Sequence, residues 1–180
     1  MQNFQQLFNL LIKDIRVKLN DEFDRNFERK AFFNVAWKPA IRNNNIGSLL
    51  MRSGALRKSI FGNSIPVAKI IDTTIEWSSS LPYANIQNEG GTITVTPKMK
   101  GFFWYRYKMA TGGNNKNLNP EAIFWKAMAM KPVGSVIKIE KRQFIGDHPQ
   151  VHKAVKKTAD DWFSNDFKPF IDKQLNNMVK

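Results

Sequence analysis

Apolar side chains recur every three or four residues at the start of the chain, at Phe4, Leu7, Phe8, Leu11, Ile15, Leu19, Phe23 and Phe27. This spacing predicts an amphipathic helix from Phe4 to about Ala31. At ~1.5 Å per residue such a helix reaches on the order of 40 Å, more than a domain of this size needs for its own core. Its stripe therefore serves either a neighbouring subunit or a sheet of its own chain. The period returns at the other end through Val151, Val155, Trp162, Phe163, Phe167, Phe170, Ile171 and Leu175. A closing helix is expected there, capped by Asp147, with Pro149 near its start and Pro169 kinking or breaking it near Asn165.

Between these helices the pattern changes. Val67, Lys69, Ile71, Ile75 and Trp77 alternate with their neighbours, which predicts a β-hairpin over Ile65 to Ser79 reversing at Asp72-Thr73. Thr92 to Thr96 supplies a third strand and Ser135 to Glu140 a fourth. The stretch Leu81 to Gly91, LPYANIQNEGG, reads as a helical turn begun by Pro82 and ended by Gly90-Gly91, with Tyr83, Ile86 and Gln87 on one face. Ser53 is placed to cap a helix from Gly54 to about Phe61, with Leu56 and Ile60 inward and Arg57 and Lys58 outward. Thr96-Pro97 begins a helix to about Met109, weakened at Gly101, and Asn119 caps an eleven-residue helix over Pro120 to Met130. Turns or loops are expected at Asn43 to Gly47 and Thr111 to Asn119. The expected fold is α+β, one domain over residues 1–180, with a mostly antiparallel sheet of about four strands packed against long N- and C-terminal helices.

Composition narrows the function classes. With 42% hydrophobic residues in 180, the chain can bury a core, and its lack of cysteine removes disulfides, thiolate metal sites and thiol catalysis. The first residues, MQNFQQLFNLLIKDIRVK, have no basic segment ahead of an apolar run and no small-residue cleavage site, so they read as helix rather than signal peptide. No apolar run approaches the eighteen or so residues of a membrane span, and a soluble protein without a membrane partner is expected. The formal net charge is +13, and Lys98 to Arg142 carries ten basic and two acidic residues, +8 of that total. A field of this sign favours polyanions.

The most unusual composition is PKMKGFFWYRYKM, with Phe102, Phe103, Trp104, Tyr105 and Tyr107 set among Lys98, Lys100, Arg106 and Lys108. These rings can stack on single-stranded bases, wall a core or meet another subunit. In the helix Pro120 to Met130, Phe124, Trp125 and Met128 belong to an apolar surface that runs almost all the way round, as in a helix that is buried or held against a partner. Catalytic patterns are missing. His148 and His152 stand four apart but lack the glutamate of HExxH, so they read as solvated or capping residues rather than metal ligands. Glu89 and Asp72 are isolated carboxylates, and no GxSxG elbow or P-loop is present. Neither an enzyme nor a cofactor is expected.

Four blocks occur in order: Trp37 with LLMRSGALRKSI (Leu49 to Ile60), YANIQNEGG, GGTITVTPKMKGFFW and RQFIG (Arg142 to Gly146). Together they resemble the phage virion morphogenesis family of tail-completion proteins, across about Trp37 to Gly146. The resemblance implies a structural protein of the virion, assembled in the host cytoplasm and forming a ring at the head–tail junction with other head, neck or tail proteins. On that view Trp37, Ser53, Gly54, Leu56, Gly90, Gly91, Arg142, Phe144 and Gly146 maintain the fold. Arg57, Tyr83, Gln87, Phe102, Phe103, Trp104, Phe124, Trp125 and Met128 are the candidates for subunit or partner contact. The basic charge of the 98–142 segment, rather than the resemblance, adds the expectation that Lys98, Lys100, Arg106 and Lys108 line a channel and face genomic DNA in its lumen. Gln87 stands where relatives often carry histidine. The alternative from another class is a basic nucleic-acid-binding protein using the 98–142 segment.

Overall fold

A computed structural model describes residues 4–40, 49–62, 68–112 and 119–178. The elements in order are α1 (Phe4–Arg29), β1 (Ala31–Phe32), β2 (Val35–Ala36), α2 (Ala55–Phe61), β3 (Lys69–Ile71), β4 (Thr74–Glu76), α3 (Ala84–Glu89), β5 (Gly91–Thr94), α4 (Pro97–Thr111), α5 (Pro120–Met130), β6 (Val136–Ile139), α6 (Pro149–Trp162), a π-helical turn (Phe163–Phe167) and α7 (Lys168–Met178). The class is α+β with antiparallel pairing. Instead of one sheet of about four strands, however, the described residues form three separate two-stranded sheets, β1-β2, β3-β4 and β5-β6. The expected turn at 43–47, the first hairpin residues at 65–67 and the loop at 113–118 lie outside the described residues. Contacts divide the chain into two compact units, residues 1–89 with 141–180, and residues 90–140.

In the first unit α1 buries Leu7, Leu11, Ile15, Leu19, Phe23 and Phe27, as the spacing requires, while Phe4 stays exposed. Helix α6 runs antiparallel to it. Phe33, beside the C-terminal end of α1, stacks on His148 just before α6, and Phe4 at the opposite end meets Phe167. Val151, Val155, Ala159 and Trp162 close over Leu11, Ile15, Leu19 and Phe23. The cap of α6 is His148 rather than Asp147: its Nδ1 accepts from Gln150 N at 3.1 Å, and Asp147 instead pairs with His152. Because Nδ1 accepts, the neutral ring carries its proton on Nε2 and donates it to Asn34 Oδ1 at 3.0 Å. Both ring nitrogens are thus committed to structure. Pro169 does not break the helix. Lys168 N reaches back five residues to Phe163 O, and this wider turn spares the Asn165 carbonyl the clash a proline ring makes in regular α geometry.

The hairpin β3-β4 reverses at Asp72-Thr73 as expected, with Ile70 opposite Ile75 and Asp72 at φ 52°. The tight pair β1-β2 was not expected. Its turn falls on Phe33-Asn34, with Phe33 at φ 54°, a conformation uncommon for a bulky residue. Phe33 is held there by its ring, stacked 4.6 Å from His148 and edge-on to Phe23, and by its N–H, which donates to Asn26 Oδ1 at 3.0 Å.

The second unit pairs β5 with β6, Gly91 to Ile139 through Thr94 to Val136, and packs the helices α4 and α5 together. Thr96 caps α4 by accepting from Met99 N, and Asn119 caps α5 by accepting from Ala122 N at 2.8 Å. Val95, Phe103 and Ala129 form a buried cluster with Met99, Trp125, Met128 and Ile137 packed around them, and Tyr107, Thr111 and Ala122 are buried as well.

Candidate interaction surfaces

The segment RQFIG is the most heavily restrained in the first unit. Asn26, fully buried in α1, donates to Phe144 O at 3.1 Å, and Trp37 Nε1 donates to Gln143 O at 2.6 Å. Asn88 Oδ1 accepts from Phe144 N and Ile145 N at 2.9 and 3.1 Å, and its Nδ2 donates to Ile145 O at 3.1 Å. Arg142 N donates to Gln87 O at 2.9 Å, and Arg142 Nε to Lys38 O at 3.3 Å. Phe144 then packs with Phe27, Trp37, Leu56, Ile60 and Ala84. Segments far apart in sequence therefore meet in one nucleus, and the two residues that satisfy most of its backbone, Asn26 and Asn88, were missed. Asn26 carries a polar side chain inside an amphipathic helix, which gives no local signal of burial. Asn88 lies in a short helical turn ended by glycine, where an asparagine carries no local sign of a long-range contact.

Several expectations need correction. Ser53 does not cap α2: Gly54, at φ 69°, occupies the cap position, and Ser53 Oγ accepts only from Ala55 N at 3.3 Å. Arg57 does not face outward as a free cation. Its Nε and Nη2 grip Asp24 at 2.5 Å each, and Nη2 also reaches Glu28 Oε1 at 2.9 Å. The Asp24 carboxylate, with Glu28 behind it, holds the guanidinium proton even more firmly than in a free arginine. Phe103 is buried and stacks on Trp125, so it is a core residue, while Trp125 and Met128 pack against the same cluster half-buried and keep part of their surface outside. Arg106 is paired within the unit, with 41% of its side chain still exposed. Its Nη2 binds Glu121 Oε1 at 2.9 Å, and its guanidinium lies 5.1 Å from the Trp125 ring centre.

Other candidates keep an outward aspect. Tyr83, Phe102 and Trp104 are exposed, Phe124 is half-buried, and Gln87 is half-buried with a side-chain oxygen that lacks a hydrogen-bond partner. Lys98 and Lys108 are exposed and Lys100 half-buried, and none of the three makes an ion pair among the described residues. Gly90 ends α3 at φ 72° and Gly91 follows at φ 147°.

Apolar surface remains in both units. In α5 the fully buried residues are the two alanines Ala122 and Ala129, while Ile123 and Met130 point away from the core. The C-terminal helix α7 has no buried residue, and Ile171, Leu175 and Met178 are exposed along it. Among the described residues no cluster of three or more His, Asp or Glu could hold a metal ion, and no helix is long and apolar enough to cross a membrane. Compared with known proteins, the chain matches no family model, no curated protein and no solved structure.

Proposed function

We propose that the protein is a structural, non-enzymatic component of a phage or prophage virion, one that self-associates as a ring and completes the neck or tail where head and tail join. The four ordered sequence blocks suggest this role. The observation that carries the self-association is α7, a helix with no buried residue whose Phe170, Ile171, Leu175 and Met178, after Phe167 of the π-helical turn, continue the apolar stripe of α6. Helix α7 continues α6 through the π-helical turn, so its backbone is supported from that end, and what it lacks is a cover for its apolar face. A ring needs one patch to meet a different patch on the next copy, and α7 offers such a patch.

Two measurements test the reading. Light scattering of the purified chain at micromolar concentration should give a mass several times 20.8 kDa, and Leu175→Asp with Met178→Asp should return it to a monomer with its helix content kept. Deleting the gene from the genome that carries it should leave filled heads and separate tails that do not join. A monomer at every concentration, or a normal particle yield without the gene, would refute the proposal.

A further inference from the structure

We infer that the outer face of α4 binds a nucleic-acid strand with unpaired bases, stacking them on Phe102, Trp104 and Tyr105 and drawing their phosphates to Lys98 and Lys108. This inference stands apart from the assembly reading, and failure of either leaves the other untouched.

The geometry begins with the helix period. Lys98, Phe102, Tyr105 and Met109 follow one another at four, three and four residues along one face, with Lys108 on its flank and Trp104 further round at the edge of the exposed arc, its ring 5.8 Å from that of Tyr107. Phe103 and Tyr107 occupy the opposite, buried side. The rings left outside are 53% (Phe102), 42% (Trp104) and 58% (Tyr105) exposed, with Phe102 also meeting Phe103 and Trp125, and Trp104 meeting Tyr107. The two lysines bracket them ten residues apart, about 15 Å along the axis.

Charge decides the class of occupant. Residues 90–140 hold eight basic and two acidic side chains, a net of +6. Both acids are engaged within the unit, Glu121 by Arg106 and Glu140 by Lys138, so the field over the face is that of unopposed lysines. A second copy is a poor match, because the whole chain carries +13 and brings like charge. An ordinary protein partner fits less well than a polyanion. The buried part of a protein interface favours arginine and disfavours lysine, yet here lysines sit within the face and the unit's one arginine is engaged by Glu121. Aromatic rings interleaved with lysine are what sequence-tolerant single-strand binding uses.

The test uses the full chain and fluorescein-labelled dT30, with a 30-base-pair duplex and heparin as comparison probes, followed by anisotropy over a salt series. The expected result is binding of dT30 that weakens as salt rises. Trp104→Ala with Tyr105→Ala should lower dT30 affinity about tenfold or more, given the usual worth of a base stacked on a ring, and leave heparin binding unchanged. Ile123→Ser, on the outer face of α5, should change neither. Ultraviolet cross-linking of the unaltered protein to a bromouridine-substituted strand checks the site without any substitution, and the adduct should fall within residues 101–106. Equal affinity for all three probes, insensitive to loss of the rings, would reduce the face to charge alone and overturn the inference. So would an adduct elsewhere. No dT30 binding at low salt would also overturn it and turn attention to an acidic protein partner.

Discussion

Replacing Asn26 tests whether the first unit is organised around its buried polar contacts to RQFIG and the β1-β2 turn. Asn26 is 0% exposed, and its amide makes two hydrogen bonds, donating to Phe144 O at 3.1 Å and accepting from Phe33 N at 3.0 Å. Asn26→Leu keeps the branching and the number of heavy atoms, adds bulk in a fully buried site, and leaves one backbone carbonyl and one backbone N–H without partners. At about 1–3 kcal/mol for each of the two buried groups left unsatisfied, the expected cost is about 2–6 kcal/mol. That is a large part of the total for a domain of this size. Urea unfolding followed by circular dichroism reads the loss as a lower midpoint, and hydrogen exchange of the Phe33 amide should quicken even where the helices persist. Asn26→Asp separates the two bonds. A carboxylate still accepts from Phe33 N but faces the Phe144 carbonyl with like partial charge in a dry site, so burial raises its pKa above the ordinary value. With the folded value above the unfolded one, the variant's stability deficit relative to the parent should shrink as pH falls toward the acid range, where a protonated carboxyl can donate to Phe144 O. An Asn26→Leu protein within about 0.5 kcal/mol of the parent, the range of an ordinary surface change, would refute the account.

Three further outcomes follow from single side chains. Arg57→Lys should lose the bidentate grip on Asp24 and cost about 1 kcal/mol in urea unfolding, and Arg57→Ala about 1–2 kcal/mol; a double-mutant cycle with Asp24→Asn should show coupling between the two positions. Gly146→Ala should cost about 1–3 kcal/mol, because Gly146 holds φ 144°, a conformation that strains a residue with a Cβ, so the melting temperature should fall. His148→Ala removes the cap of α6 and the ring stacked on Phe33, and a loss of about 1–2 kcal/mol is expected, with earlier fraying of residues 149–152 in hydrogen exchange.

What the sequence determined by itself is local. The three-to-four spacing fixed α1 and α6 because a helix repeats its environment every 3.6 residues, and Thr96-Pro97 and Asn119-Pro120 marked two helix starts within a residue through their caps. Asp72-Thr73 located one reversal for the same reason. Tertiary structure decided which strands pair: β5 and β6 meet across some forty residues, and nothing within either segment says whether they join β3-β4 or stand apart. It also decided the exceptions to local rules. Phe33 takes a positive φ without glycine because Asn26 and His148 hold it, and Arg57, outward by helix spacing, turns to Asp24 and Glu28 on α1. The candidate surface divided in the same way. Composition singled out the aromatic run of α4, but only packing against α5 turned Phe103 and Tyr107 inward, committed Arg106 to Glu121, and left Phe102, Trp104 and Tyr105 to solvent, since a helix has one face to bury and the neighbour chooses which.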